Sequence, residues 1–371
     1  MRRLTYIHEH TGWPDFHWDG ASLADLLASV RHRQGRLLGQ MEHLGFPLQQ
    51  QAVLQTLTDD VLKSSAIEGE KLDAEQVRSS VARHLGLDIG GLKAPDRHVE
   101  GVVDMMLDAT RHYDRPLTED RLFAWHAAMF PAARSGMRPI KTGAWRDDRT
   151  GPMQVVSGPI GHERVHYEAP TAKRLNAEMR KFLRWFNAAN GQDWVVKAAI
   201  AHLWFVTIHP FDDGNGRIAR AIADMALARS DQSAQRFYSM SSLIQKKRAE
   251  YYAILERTQK GTTDITAWMQ WFLETLGEAL AAAERALHKV LRKAEFRKSV
   301  ANLPLNERQR AMLNRLLEGF EGKLTTSKWA KLTKTSQDTA ARDIAKLIEL
   351  GVLVRNPEGG RSTSYMLASA P

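Results

Sequence analysis

The stretch His209-Pro210-Phe211-Asp212-Asp213-Gly214-Asn215-Gly216-Arg217-Ile218-Ala219-Arg220 places a base, a carboxylate, a Gly-Asn-Gly turn and two arginines within twelve residues. The glycines open a helix-compatible run, so backbone N–H groups and a helix N-terminus meet where an anion can sit. Arg217 and Arg220 are three apart, share a helix face and can both turn toward that anion as planar, charge-assisted donors. Asp213, just before the glycines, would repel bare phosphate but suits a Mg²⁺ ion bridging phosphate oxygens. His209 is the side chain of this loop able to take up a proton near neutral pH. Together these residue types describe a nucleotide phosphate, a metal, and a base that activates an acceptor.

The same stretch resembles the signature of the Fic family, His-Pro-Phe-x-Asp/Glu-Gly-Asn-Gly-Arg-x-x-Arg, and every defined position is filled. The resemblance implies a mainly α fold: a Fic-type helical core with a β-hairpin flap. It assigns His209 as the base that deprotonates a target hydroxyl and Asp213 as the Mg²⁺ ligand. Gly214, Asn215 and Gly216 become the anion hole, with Arg217 and Arg220 on the polyphosphate. The implied reaction is transfer of AMP from ATP to a Ser, Thr or Tyr hydroxyl of a target protein by a Mg²⁺-dependent nucleotidyltransferase.

Immediately upstream, residues 192–207 are apolar nearly all round, from Val195 and Val196 to Phe205 and Val206. Such a pattern predicts a buried central helix that delivers His209, with His202 a packed histidine on it. Residues 141–170 hold the one convincing β pattern of the first 300 residues, two short strands around a Gly/Pro-rich turn. By resemblance this is the flap whose edge docks a target segment by strand addition, with Gln154, Val155, Val156, Val165, His166 and Tyr167 along it. Downstream, Tyr251 and Tyr252 are candidates to contact the adenine, one of the two facing the core. His126, on an expected helix 121–129, is read as a packed or surface residue.

Toward the N-terminus, a helix from about Ser22 ends at Gly45-Phe46-Pro47, and a second runs from about Gln49 to Ser65. Its end, Ser64-x-x-x-Glu68-Gly69, resembles the inhibitory motif Ser/Thr-x-x-x-Glu-Gly/Asn that accompanies many Fic domains. A glutamate there would form a bidentate bridge with Arg220 and fill the place of a γ-phosphate. His8, His10 and His17 lack a firm zinc geometry and are read as packed or surface residues. This opening segment resembles the N-terminal extension of a subset of Fic proteins.

The 371 residues allow two or three domains. A net charge of +9 points to acidic partners, and the absence of cysteine excludes disulfides and thiolate chemistry. No signal-like or spanning apolar stretch is found, so a cytoplasmic location without membrane contact is expected. The chain divides into a helical extension at 1–95, a catalytic core at 96–283, a basic connector helix at 284–303, and a C-terminal winged helix-turn-helix at 304–371. In that last module residues 336–350 would form the recognition helix, with Arg355 and Arg361 on the wing, while Asp338 and Asp343 weigh against phosphate contacts. The leading expectation is an autoinhibited adenylyltransferase using ATP and Mg²⁺, expected as a homodimer. Alternatives are a de-AMPylating hydrolase using Glu68, a DNA-binding regulator with a nucleotide-sensing core, and phosphate or phosphocholine transfer.

Overall fold

The computed structural model describes residues 5–87, 93–149, 151–159, 161–189, 191–320, 322–357 and 363–368. Most of the expected join at Gly86–Gly91, the end of the turn after Pro357, and Arg361 lie outside them. The described residues form fourteen α-helices and three two-stranded antiparallel ladders. They fall into two compact units, Met1–Ala283 and Glu284–Pro371.

In the first unit α1 (Gly20–Glu42) starts where the Asp19 carboxylate accepts from the N–H groups of Ala21 and Ser22. Its stripe Leu23, Val30, Leu37 and Met41 is buried. α2 (Phe46–Ile67) has Pro47 in its first turn, where the missing N–H is not needed. Gly45-Phe46-Pro47 therefore opens α2 as well as closing α1. α3 (Ala74–His84), α4 (Arg97–Arg111) and α5 (Glu119–Met129) are capped by Asp73, Asp96 and Thr118, each cap contributing about 1 kcal/mol.

A two-residue ladder follows, β1 (Arg134–Ser135) with β2 (Arg138–Pro139). The sequence pattern missed it because a turn around Gly136, at φ +55, carries no apolar alternation. The expected hairpin is β3 (Gln154–Ser157) against β4 (Arg164–Glu168), with an irregularity between Val155 and Val156.

After α6 (Ala172–Asn187) comes α7 (Trp194–Ile208), in which every residue from Val195 onward is buried. A helix apolar on all sides must be enclosed, and each large apolar side chain buried there contributes roughly 1.5–3 kcal/mol. α8 (Asn215–Asp231) packs along it and is itself buried from Arg217 to Ala228. The bundle is completed by α9 (Met240–Lys246), α10 (Arg248–Gln259) and α11 (Thr266–Val300), and Trp268 of α11 donates to the Ala199 carbonyl of α7 at 2.8 Å.

Two departures from the sequence reading matter here. The core's last helix and the basic connector are one continuous helix, α11, because Ala281-Ala282-Ala283-Glu284-Arg285-Ala286-Leu287 contains only strong helix formers. The side chains of α2 and α8 also pair in antiparallel order. Glu68 lies at Gly216, Ser64 at Arg220 and Asp60 beside Asp224, so four residues along one helix match four along the other.

The second unit continues from the end of α11 with α12 (Glu307–Gly319), α13 (Thr326–Thr333), α14 (Gln337–Glu349) and a ladder of β5 (Leu353–Arg355) with β6 (Tyr365–Leu367). Phe296, Met312, Trp329, Ile344, Leu347 and Leu353 share its core. Asp343 does not face solvent. It is buried and accepts from Asn306 Nδ2 at 2.9 Å and Arg308 Nε at 3.1 Å, so its charge is met from within the unit. Among the described residues no helix is long and apolar enough to cross a membrane.

Candidate nucleotide-binding site

Two left-handed residues frame the loop between α7 and α8, His209 at φ +52 and Gly214 at φ +79. The first ends α7, its N–H still bonded to Phe205 O, and the second opens α8. Between them Phe211 is fully buried and stacks on His126 at 4.2 Å. Asn215 clasps this turn from both sides: its Oδ1 accepts from Phe211 N at 3.0 Å and its Nδ2 donates to Phe211 O at 2.8 Å. The Asn215 side chain is thereby committed to the loop, leaving only its backbone for an anion.

His209 Nδ1 donates to Val206 O at 3.2 Å, which assigns Nε2 as the proton-accepting nitrogen. Desolvation lowers the imidazole to about 4, with the Arg146 charge acting in the same direction. Its sign is that of a base: above about pH 4 the ring is neutral with its lone pair free. Arg146, which the sequence reading passed over, is buried and holds the His209 carbonyl through Nε at 2.8 Å. His126 is packed, donating to Asp213 O from Nε2 and accepting from Gly143 N at Nδ1, both at 3.2 Å. Asp213 Oδ2 accepts from the Ser135 hydroxyl of β1.

The two arginines are each held by a different carboxylate. Arg220 Nε donates to Ser64 Oγ at 2.9 Å, and Nη2 donates to Ser64 O and to Glu68 Oε1, both at 2.8 Å. The bridge to Glu68 is thus a single contact and not the bidentate pair expected, because Ser64 takes the rest of that edge. Glu68 Oε2 accepts from Tyr252 OH at 3.2 Å. Gly69, at φ +84, lets the chain turn away just after α2 and leaves Glu68 pointing at α8. A Cβ on Gly216 would lie 2.0 Å from Glu68 Oε1.

Arg217 Nη1 donates to Glu70 Oε2 at 2.6 Å, a partner no motif announced. Glu70 Oε1 in turn meets His98 Nε2, whose Nδ1 faces Met129 O. With acceptors on both nitrogens, His98 is held as the imidazolium, and the Glu70 bond raises it above its ordinary 6.5. Burial works against the Glu70 charge, yet His98 and Arg217 hold its carboxyl below the usual 4.5. Asp213 Oδ1 lies 3.9 Å from Arg217.

Two buried guanidinium atoms, Arg220 Nη1 and Arg217 Nε, have no partner. Arg220 Nη1 lies beside Gly216, 3.2 Å from where a Cβ there would stand, and Gly216 and Glu68 line a cavity of about 710 Å³ together with His209, Tyr251, Tyr252 and the flap. That volume suits a nucleotide, and the unmet donors suit its phosphates. Among the described residues no cluster of three or more His, Asp, Glu or Cys side chains could cage a metal. The carboxylate of Asp213, partly open to solvent, is the group on which a Mg²⁺ ion carried by phosphate oxygens would fit.

Tyr251 is buried and its hydroxyl is bonded to His202 Nε2 at 2.9 Å, while Tyr252 is half-buried. On the flap Gln154, Val156 and Val165 are exposed and Val155 and His166 half-buried. Tyr167 departs from the docking role expected of it. Its side chain is fully buried, donating to Thr207 O at 2.8 Å and meeting His8 Nδ1 at 3.0 Å, so it pins β4 to the core.

The fold and the site define a mainly α protein built around a glycine-opened helix start with a neutral imidazole beside it. Residues 116–227 match the model of the Fic/DOC family, and this part of the chain is a Fic/DOC domain. Residues 6–87 match a domain of unknown function, DUF4172.

The chain is similar to the protein adenylyltransferase Fic of Drosophila melanogaster, 31% identical over 224 residues, 59% of this chain and 40% of that protein. It also resembles protein adenylyltransferase fic-1 of Caenorhabditis briggsae, 35% identical over 86 residues, 23% of this chain and 16% of that one. It thus spans less than half the length of these curated relatives. A Fic family protein from Desulfovibrio desulfuricans shares the fold at TM-score 0.54 and 21% identity, covering 94% of this chain and 97% of that one. A Fic domain-containing signalling protein from Bacteroides thetaiotaomicron does so at 0.51 and 20%, covering 70% and 97%.

Proposed function

We propose that the chain is a Mg²⁺-dependent protein adenylyltransferase, moving AMP from ATP to a hydroxyl of a target protein, and that the arrangement described is its held-off state. The observation that carries this reading is the buried, partnerless Arg220 Nη1 beside Gly216, which lines a cavity with Glu68 and a neutral His209. A buried donor left unmet costs roughly 1–3 kcal/mol, and a polyphosphate supplies the missing acceptors.

In this reading the backbone of Gly214 to Gly216 and the two guanidinium groups bind the polyphosphate once Glu68 and Glu70 withdraw. His209 Nε2 takes the proton of the target hydroxyl as its oxygen bonds to the α-phosphorus and pyrophosphate leaves. Asp213 would hold Mg²⁺, which neutralises charge on the phosphate oxygens. Of the two tyrosines, Tyr252 is the one with ring surface for the adenine, since Tyr251 is buried at 1% exposure. The exposed edge around Val156 takes the target segment.

The test is incubation of the full chain with ATP and Mg²⁺ and intact-mass measurement of wild type, Glu68→Gly and His209→Ala in the Glu68→Gly background. Adenylyl mass gained by Glu68→Gly, beyond any carried on Ser157, and lost with His209→Ala is the expected result. Equal labelling of all three would defeat the catalytic assignment. Faster release of AMP from an adenylylated protein by wild type than by Glu68→Gly would instead make Glu68 the carboxylate of a hydrolase.

The buried state of Asp343 favours a second role for residues 304–371, docking of duplex DNA on α14 through exposed Gln337, Arg342 and Lys346. A salt-dependent mobility shift with duplex DNA is expected, and its absence at low salt would exclude this role.

A further inference from the structure

At the mouth of the same cavity the flap carries a second reactive array that the adenylyl-transfer scheme does not use. Ser157 Oγ lies 2.6 Å from His166 Nε2, and His166 Nδ1 lies 2.7 Å from Glu256 Oε2. Ser157 and His166 are diagonal neighbours across β3 and β4, whereas Glu256 comes from α10. A Ser–His bond that only fastened a hairpin would need nothing behind the imidazole. Here a carboxylate from another element stands behind it.

Glu256 is fixed in its charged form. Burial works against the charge, but hydrogen bonds from Lys260, His166 and Arg164 bring its carboxyl down to about 2. The ionised Glu256 accepts from Nδ1–H, which leaves Nε2 as the acceptor for the Ser157 hydroxyl proton. Nucleophile, base and orienting carboxylate then stand in the order required to activate a serine. Ser157 is exposed, and the glycine after it fixes its place: Gly158 has φ +107, and a Cβ there would come within 2.9 Å of His162 O. Ser157, His166 and Glu256 all line the cavity that also holds His209 and Glu68.

We propose that Ser157 is an in-chain acceptor: its hydroxyl, activated by His166 and Glu256, takes a nucleotidyl group from the nucleoside triphosphate bound in the shared cavity. The Oγ–P bond forms, the bond from the α-phosphorus to the bridging oxygen breaks, pyrophosphate leaves with the electron pair, and the hydroxyl proton passes to His166 Nε2. Once modified, Ser157 carries a bulky anion at the edge where a target segment would lie, so the chain blocks its own docking strand. The donor in this step rests on the adenylyl-transfer reading, whereas the activation of the serine does not.

Two measurements on the full chain test it. In the first, Glu68→Gly is incubated with ATP and Mg²⁺ and mapped by peptide mass spectrometry. Adenylyl on the peptide containing Ser157 is expected, formed at a rate independent of protein concentration and absent from the Glu68→Gly/Ser157→Ala chain. Adenylyl found only on other residues overturns the acceptor role while leaving adenylyl transfer intact. No adenylyl on any residue or added protein overturns both.

The second measurement needs no nucleotide. A fluorophosphonate probe is expected to label Ser157 in the wild-type chain, slowed on the order of 10²-fold by His166→Ala and partly restored by exogenous imidazole. An unlabelled Ser157, or labelling indifferent to His166→Ala, overturns the activation.

Discussion

Arg220 and Arg236 are both fully buried, both bound by carboxylates, and they flank opposite ends of α8, yet their partners differ in kind. Arg236 donates to Asp224 at 2.8 Å and Asp231 at 3.1 Å, whose side chains are 2% and 0% exposed. Arg220 and its neighbour Arg217 donate to Glu68 and Glu70, which are 29% and 32% exposed. A carboxylate enclosed by its own core cannot be exchanged without unfolding. One that reaches in from the end of a neighbouring helix, still wetted on one side, can be replaced by another anion. On the proposed reading, the same pairing of charges is a structural rivet at one end of the helix and a replaceable plug at the other.

The largest expected effect follows from the rivet. Arg236→Leu leaves two buried carboxylates uncompensated and should destabilise the first unit by about 3–5 kcal/mol, whereas Arg220→Leu should cost far less because Glu68 can turn to water. Urea unfolding midpoints compare them, and equal losses would break the distinction. Next, Glu68→Gly should strengthen binding of ATP on the order of 10–100-fold, since one charge-assisted bond of about 1.5–3 kcal/mol no longer competes. Calorimetric titration reads this directly. Glu70→Ala should add several-fold more in the Glu68→Gly background, if each carboxylate plugs its own arginine. No gain would make Glu70 a mere support for His98.

The smallest effect is one of pH. Asp60 sits beside Asp224 in the buried network, and desolvation together with that like charge raises its carboxyl well above the usual range. A raised carboxyl favours the folded state at low pH, and this contribution is lost as pH rises through the raised value. The unfolding midpoint should therefore fall as pH rises above the ordinary carboxyl value of 3.8 and level off once the raised value is passed, and Asp60→Asn should flatten that fall. At the plug the window lies elsewhere. Glu70 is lowered and His98 raised, so their link is fully formed between about 4.5 and 6.5, their ordinary values. It weakens as pH climbs through the raised value of His98, and the stability gap between wild type and His98→Phe should close there.

The motif from His209 to Arg220, the enclosed helix before it and the flap hairpin could be read from the chain because each depends on residue type at short spacing. Glu68 was legible only beside that motif. Glu70, His98, Arg146 and Ser135 were not, since their meaning arises from contacts with residues 28 to 147 positions away, and an isolated Glu or Arg resembles any other. Tyr167 misled because alternation along β4 is disturbed by the irregularity at Val155/Val156, so the side facing the core could not be counted from the sequence. The two compact units divide at residue 283, where composition changes from apolar to basic, while an unbroken run of helix formers carries α11 through that point.

The left-handed backbone of His209 has a consequence for any attempt to silence the site. Outside glycine this conformation is uncommon, asparagine and aspartate being the side chains that hydrogen-bond locally to accept it, and holding a non-glycine residue there stores on the order of 1 kcal/mol of strain. His209→Asn should then relax the turn it disables. The inert protein is expected to melt no lower than the active one, which would make it a sound trap for capturing a bound target.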